Sequence, residues 1–160
     1  MTLLGLDLNA SRARAVCGAA GVPRPIALVT TLSEDGTVNA APFSMFNMLG
    51  EEPPIVMISI NRLADGTLKD TAVNVPREKE FVVHLADEAI AQQMHRCGER
   101  FAADVSELDE VGFTSLPSSK VKPPRIAEAP VAFECALWET LETASRHIFI
   151  GKVLMLHARD

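Results

Sequence analysis

The chain has 160 residues, 48% of them apolar, and a formal net charge of −6. That length suits one compact domain over 1–160, large enough to bury a core and too short to hold a separate nucleotide-binding domain as well. An acidic balance without a long basic run argues against nucleic acid, whose binding needs clustered lysine and arginine on the phosphates.

Taken from the N-terminus, Asn9 to Ala20 reads as a helix that Gly21 and Pro23 end. Pro25 to about Leu32 is an apolar strand. Glu34, Asp35 and Gly36 supply turn chemistry, and a second strand returns from Thr37 as an antiparallel neighbour. Its alternation is expected to break at Pro42 into Phe43, Ser44, Met45, Phe46 and Asn47, a run with freed backbone groups and a mixed apolar and polar edge. Such an edge could grip a flat heteroaromatic ring; the plainer alternative is an irregular strand end whose Ser44 and Asn47 bond their own loop. Beyond Pro53 and Pro54, the run Ile55 to Ile60 lacks clean alternation, which predicts a central strand covered on both faces.

Asp65 and Gly66 then mark a turn, and Thr67 with Asp70 three residues later has the spacing of a capping box opening a short helix. A helix start carries unpaired amide protons and the positive end of the dipole. A phosphate beside Lys69 and Thr71 would therefore meet amide, ammonium and hydroxyl donors together. Asn74 falls on the same helical face as Thr71, which favours a polar site; the competing account is an ordinary capped helix with Lys69 solvated.

Glu80 to Ala86 is a further strand, and Asp87 caps the helix after it. His95 and Cys97 lie in that helix two residues apart and so point to different sides, which argues against a metal site. The polar, proline- and serine-rich 101–125 segment is expected to be a long excursion with little regular structure, a lid or a dimer arm. Ala129 to His157 makes a second long hairpin turning near Thr143 to Ser145. In its last strand His147, Phe149, Gly151, Val153, Met155 and His157 share one face by period-two counting, with about 33 Å between the two histidines. Gly151 marks either a close approach by a backbone or ring or a barrel bend. Trp138 reads as a core or interface anchor.

Cys17, Cys97 and Cys135 are odd in number and far apart, with neither a disulfide framework nor a CxxC pair, so reduced thiols in the cytoplasm are expected. No glycine falls in a GxGxxG or GxxxxGK arrangement. No apolar run is long enough to span a bilayer, and no secretory signal is evident.

Six segments in fixed order carry a resemblance: PRPIALVTT at Pro23 to Thr31, DGTVNAAPFSMFN at Asp35 to Asn47, PPIVMISI at Pro53 to Ile60, KDTAVN at Lys69 to Asn74, EFVVHL at Glu80 to Leu85, and RHIFIGKV at Arg146 to Val153. From about Pro23 onward the sequence resembles the flavin reductase-like, FMN-binding split-barrel family. That resemblance implies a mainly β fold with flanking helices, a split antiparallel barrel, and non-covalent FMN, with FAD as the alternative flavin, at a homodimer interface. It further implies a nicotinamide nucleotide, NAD(P)H, as co-substrate and a monooxygenase component as a candidate partner. By the same resemblance Thr30, Thr31, Ser44, Met45, Phe46 and Asn47 line the isoalloxazine ring, Ser59, Asn61 and Arg62 follow it, and Lys69 and Thr71 meet the phosphate while Asp70 holds the turn. His147 takes the place of a histidine linked to nicotinamide or flavin handling. Here Arg146 replaces the aspartate that precedes that histidine in many members, and His84 replaces a residue that is often asparagine.

Two readings follow. The first is an FMN-dependent oxidoreductase, an NAD(P)H:flavin reductase; the second is a non-enzymatic FMN-binding electron carrier or flavin-holding module. Flavin would do the electron chemistry in either case, and the protein would supply orientation and electrostatics.

Overall fold

A computed structural model of the protein describes residues 23–99, 101 and 105–159. The helix expected at Asn9 to Ala20, with Cys17, lies outside those residues.

The first hairpin forms as expected, β1 (Ala27–Leu32) against β2 (Val38–Phe43), with Gly36 at a φ of 89° in the turn. β2 does not break at Pro42. Pro42 pairs with Leu28, and the strand tolerates it because β2 is an edge of the sheet, where a missing N–H deprives no second neighbour. Only Ser44 and Met45 then separate β2 from β3 (Phe46–Glu51), which returns through a cis Glu52–Pro53 bond into β4 (Pro54–Asn61). β4 buries Val56, Ile58 and Ile60 and leaves the alternate residues Ile55, Met57 and Ser59 half-exposed. It is thus covered on one face rather than two, and it lies next to the edge rather than in the centre.

Helix α1 (Asp70–Glu78), β5 (Glu80–Leu85), a 3₁₀ turn at Glu88–Ile90 and α2 (Ala91–Arg96) follow, with Asp87 accepting from the Ile90 amide at 3.3 Å. After α3 (Glu107–Glu110), the two-residue strands β6 (Ser115–Leu116) and β7 (Arg125–Ile126) pair with each other. β8 (Val131–Glu142) and β9 (Arg146–Ala158) close the chain as the longest hairpin.

Seven strands form one antiparallel sheet in the order β2-β1-β5-β8-β9-β4-β3. Its first and last strands, β2 and β3, are consecutive in the chain, so the sheet has rolled until the edges nearly meet, without a ladder between them. This is the expected split barrel. Phe43, Phe46, Val56, Ile58, Phe81, Val83, Phe133 and Phe149 fill the interior, with Ala72 and Val75 of α1 closing one end.

The 101–125 excursion is not a lid over the described residues. Leu108, Val111 and Phe113 are buried against Leu28, Ala40, Ile90, Cys97 and Ile126 on the outer face of the first hairpin. Glu107 also covers the edge of β2, accepting from the Ala40 amide at 3.0 Å, and burial pushes its carboxyl up.

Gly151 is where a ring approaches. An added Cβ would stand 2.4 Å from Cζ of fully buried Phe81 and 3.2 Å from Cβ of Cys135. In the β8/β9 ladder Cys135 pairs with Val153 while Glu134 pairs with Met155, so Leu154 is an extra residue. This bulge reverses the alternation. His147, Phe149, Gly151 and Val153 face the interior, whereas Met155 and His157 share the outer face with Glu134, so the two histidines do not share a face. A second bulge leaves Trp138 unpaired and 54% exposed, which removes the core reading of that residue.

Two ionisable side chains stitch the outer face. Glu134 is fully buried and accepts from the Ser119 and Lys120 amides at 2.8 and 2.5 Å and from His157 Nε2 at 2.6 Å. Burial pushes its carboxyl up, but those donors outweigh burial and hold it below its ordinary value. Fully buried His84 bridges Leu28 O through Nδ1 at 2.9 Å and accepts from the Ile126 amide at Nε2 at 3.0 Å, so its proton sits on Nδ1. Desolvation lowers it from 6.5 to about 4, with the nearby Arg125 charge acting in the same direction against the Leu28 carbonyl.

Since the folded state resists protonating His84, the unfolded chain takes up the extra proton between those values. The stabilisation is complete above pH 6.5 and is lost as pH falls towards 4, about 3 kcal/mol in all. Urea denaturation at pH 7 and pH 4.5 should show wild type losing more stability on acidification than His84→Asn; equal losses would mean the ring does not resist protonation.

Candidate functional site

The open rim of the barrel, where β2 passes into β3, β4 ends and β9 begins, gathers most of the expected site residues. Met45 O accepts from the Ser59 amide at 2.8 Å, which fixes the Ser44–Met45 joint against β4. Phe46 and Asn47 are not irregular. They form the start of β3, paired with Ile58 and Met57, with Phe46 buried in the core and Asn47 exposed.

Strand parity sorts the rest. Asn47, Met57, Ser59, Asn61 and Arg146 lie on the outer face of β3, β4 and β9, and Arg146 Nη1 donates to Ser59 Oγ at 3.0 Å. Ile60, His147 and Phe149 lie on the inner face, with the His147 and Phe149 rings stacked, their centroids 6.0 Å apart. Arg62 leaves β4 at this end, its amide donating to Ser145 O at 3.0 Å and its Nη2 reaching Glu142 Oε1 at 2.8 Å. His147 Nε2 lies 3.2 Å from the same Glu142 oxygen. The ring therefore has a carboxylate partner after all, from across the hairpin rather than from position 146. His147 is 8% exposed, and its Nδ1 is buried with no hydrogen-bond partner.

The capping box does not form. Thr67 donates from its amide and hydroxyl to Asp65 at 3.0 and 2.6 Å, so the two ends of the predicted box belong to different local structures. Asp65, rather than Asp70, holds that turn. Helix α1 begins at Asp70 with Lys69 at its N-cap, where no side chain caps it. The Lys69 ammonium sits 5.6 Å from the centre of the Phe43 ring, which brings it to the same joint as Ser44.

Thr31 and Thr71 are fully buried in a polar network. Asn39 Nδ2 donates to Thr71 Oγ1 at 2.9 Å and to Thr31 Oγ1 at 3.2 Å, and Asn74 Nδ2 donates to Thr31 Oγ1 at 3.1 Å. These four side chains lock α1 to the first hairpin, so the polar face of Thr71 and Asn74 looks inward to the protein. Thr30 points to the opposite face of β1 and donates to Pro124 O at 2.6 Å, away from the rim. Asn39 and Glu142 are the residues that sequence reasoning missed. Both occupy strand positions that read as polar surface, and only register places one over α1 and the other over His147.

Two concavities occur away from the rim, one of about 90 Å³ lined by Asn39, Asp70, Asn74 and Glu107, the other of about 220 Å³ beside Arg125 and His157. The rim is a shelf, not an enclosed pocket. Among the described residues no cluster could hold a metal ion, and Cys97 and Cys135 are buried, unpaired thiols whose burial pushes Cys97 up to about 12 and raises Cys135 further.

A shelf with Lys69, Arg62 and Arg146 as cations, Ser44 and Ser59 as hydroxyls, and Asn47 and Asn61 as amides suits an anionic, ring-bearing ligand. The model of the flavin reductase like domain matches residues 19–160. The chain belongs to the flavin reductase-like family. Its fold superposes with a TM-score of 0.87 on 2-nitrobenzoate 2-nitroreductase of Pseudomonas fluorescens, 36% identical, over 99% of this chain and 77% of that one. Component B of nitrilotriacetate monooxygenase from Bacillus cereus gives 0.87 at 28% identity, over 98% and 83%. A Shewanella frigidimarina protein with a split barrel domain gives 0.81 at 21% identity, over 96% and 76%, and so speaks for the fold alone. No described helix of this family member is long and apolar enough to cross a membrane.

Replacing Asn39 by alanine would strip donors from two buried hydroxyls at once. A loss of about 1–3 kcal/mol is expected, read as a lower urea midpoint with an unchanged slope; a midpoint within error of wild type would mean that the network does not hold α1.

Proposed function

We propose that this chain binds FMN on the rim shelf of a homodimer and acts as an NAD(P)H:flavin reductase, with FAD as the alternative flavin. The observation that carries this reading is the meeting of Lys69, at the uncapped start of α1, with the Ser44–Met45 joint. A phosphate at Lys69 gains an ammonium and unpaired helix-start amides. A ring reaching from there over Ser44 towards Ser59 and Asn61 meets hydroxyl and amide groups. The donor set therefore fits a phosphorylated, flat, hydrogen-bonding cofactor, and flavin supplies the two-electron acceptor chemistry when bound.

The residues then divide by task. Lys69 anchors the phosphate, with the Thr71 backbone amide beside it; the Thr71 hydroxyl is taken up by Asn39. Asn47, Ser59 and Asn61 orient the ring, and Arg146, tied to Ser59, places positive charge near it. Arg62 and His147 stand at the end of β4, where the inner face reaches the rim. Thr30 has no place in this arrangement.

The lack of enclosure supports the homodimer. A shelf leaves one face of a bound ring in water, and Met48 and Leu49, beside Asn47 on the edge strand β3, are 43% and 49% exposed, as apolar residues awaiting a second surface would be. The similarity to a monooxygenase component supports an oxygenase as the consumer of reduced flavin. A nitroaromatic acceptor draws support from the Pseudomonas fluorescens relative.

One observation favours the carrier reading instead: His147 is nine-tenths buried, which limits its contact with a nucleotide. Stopped-flow mixing of FMN-loaded protein with NADH and with NADPH separates the two. Bleaching of the flavin band within seconds is expected; no bleaching with either nucleotide leaves a carrier. Reoxidation with free flavin or with 2-nitrobenzoate then identifies the acceptor class.

The phosphate anchor has its own test. Lys69→Ala removes one charge-assisted contact and should weaken FMN about 10- to 100-fold, while riboflavin, which lacks the phosphate, binds as before. Equal losses for both ligands would remove Lys69 from that role.

A further inference from the structure

The rim is more positive than a phosphate anchor requires. In a chain of net charge −6, the shelf gathers Lys69, Arg62 and Arg146, and of these only Arg62 has a carboxylate within ion-pair distance, Glu142 at 2.8 Å. Lys69 and Arg146 have no ion pair among the described residues. The Lys69 ammonium rests over the Phe43 ring, and Arg146 Nη1 donates to the neutral hydroxyl of Ser59 at 3.0 Å. Phe43 precedes the Ser44–Met45 joint and the Ser59 amide closes on Met45 O, so the unpaired cations flank that joint from either side.

Arg146 is held where it stands. It opens β9 opposite Asn61 of β4, its amide donates to Thr143 Oγ1 at 3.1 Å, and its carbonyl accepts from the Thr143 amide at 2.8 Å. The residue is half-buried on the face that carries Ser59, so water and salt screen its charge only in part. A guanidinium cannot shed its proton. What remains to answer its charge is a ligand.

On the flavin reductase reading the phosphate belongs to Lys69 and the oxidised ring is neutral, which leaves Arg146 without a counter-charge. Reduction changes this. Hydride transfer breaks the C4–H bond of the nicotinamide and makes an N5–H bond on the flavin; the nucleotide leaves as NAD(P)+, and the ring gains two electrons, one proton and hence one negative charge. A fixed cation beside the ring favours that charged form.

We infer that Arg146 makes the shelf selective for the reduced flavin, so that reduced FMN stays on this chain and its electrons pass there to a small organic acceptor at the open face of the ring. The inference rests on the flavin reductase reading and decides the fate of the reduced cofactor within it: retention on the shelf rather than release to an oxygenase. Selectivity and potential are one quantity. For a two-electron couple each tenfold preference for the reduced form raises the midpoint potential by about 30 mV over that of free FMN.

Equilibrating the FMN-loaded protein with reference dyes during an anaerobic reductive titration measures that potential. Wild type should lie about 30 mV or more above free FMN. Arg146→Gln, which keeps a donor for Ser59 and loses the charge, should bind oxidised FMN within a factor of about three of wild type and reduced FMN about 10-fold more weakly, so its potential falls by about 30 mV. Arg146→Lys, which restores a charge, should recover most of the difference. Anaerobic gel filtration should likewise carry reduced FMN with the wild-type protein and lose it from Arg146→Gln. A wild-type potential at or below that of free FMN, or an Arg146→Gln variant that weakens both redox forms equally or neither, overturns the inference. A protein that takes up no FMN in either form sinks the flavin reading and this inference with it, whereas uptake at an unshifted potential sinks this inference alone.

Discussion

The rim depends on one geometric constraint: the sheet rolls almost to closure and is joined across the gap by only Ser44 and Met45. β2 and β3 are consecutive, yet no ladder joins them, and each pairs with its neighbour on the other side, β2 with β1 and β3 with β4. Backbone groups there are spent otherwise, Met45 O on the Ser59 amide, and Phe43 and Phe46 on either side of the joint pack into the core. A fully closed barrel would have consumed those groups in its own hydrogen bonds, because complete closure leaves no edge. The split is what leaves a shelf where a barrel would have a wall.

Holding the second component of the shelf in place falls to buried polar groups rather than to apolar packing alone. α1 offers Ala72 and Val75 to the barrel interior, yet two small apolar contacts would let a nine-residue helix slide. The Asn39 amide prevents this by reaching hydroxyls on both the helix and β1, since each hydrogen bond is satisfied in only one register. A displaced helix would part Thr71 from its Asn39 donor and take the Asn74 amide from Thr31. The same device recurs on the outer face, where His84 spans β1 and β7 and Glu134 collects two loop amides. In each case the cost of an orphaned polar group converts a loose apolar contact into a single position. Lys69 stands beside Phe43 because α1 has been fixed first.

Sequence patterning made much of this legible, and the failures have identifiable causes. Both long hairpins were readable from Gly36 and from the turn at Thr143 to Ser145, because turn chemistry and alternation are local. β3 was not anticipated. Its residues, Phe46 to Glu51, alternate poorly and follow a proline, so nothing short of the rolled sheet explains why they extend. Thr67 and Asp70 have capping-box spacing, but Asp65 competes for Thr67 at shorter range and wins, moving the helix start by a turn's fraction to Lys69. The Lys69, Asp70 and Thr71 segment was singled out by the helix-start argument and by resemblance, while the packing of Thr71 was invisible: burial against Asn39 is a long-range fact.

The bulge at Leu154 carries the most consequence of any feature the sequence concealed. Period-two counting along β9 puts His147 and His157 on one face, and a single extra residue sends them to opposite faces. His157 then serves Glu134 within the outer packing, and His147 serves the rim. Without the bulge, either His157 would enter an interior already filled by Phe81 and Phe133, or His147 would turn outward and lose both Phe149 and Glu142. One unpaired residue thus lets a single strand supply a histidine to the outer packing at one end and another to the inner face at the other. The two ends are coupled only through a backbone that Gly151 allows to run beneath the Phe81 ring.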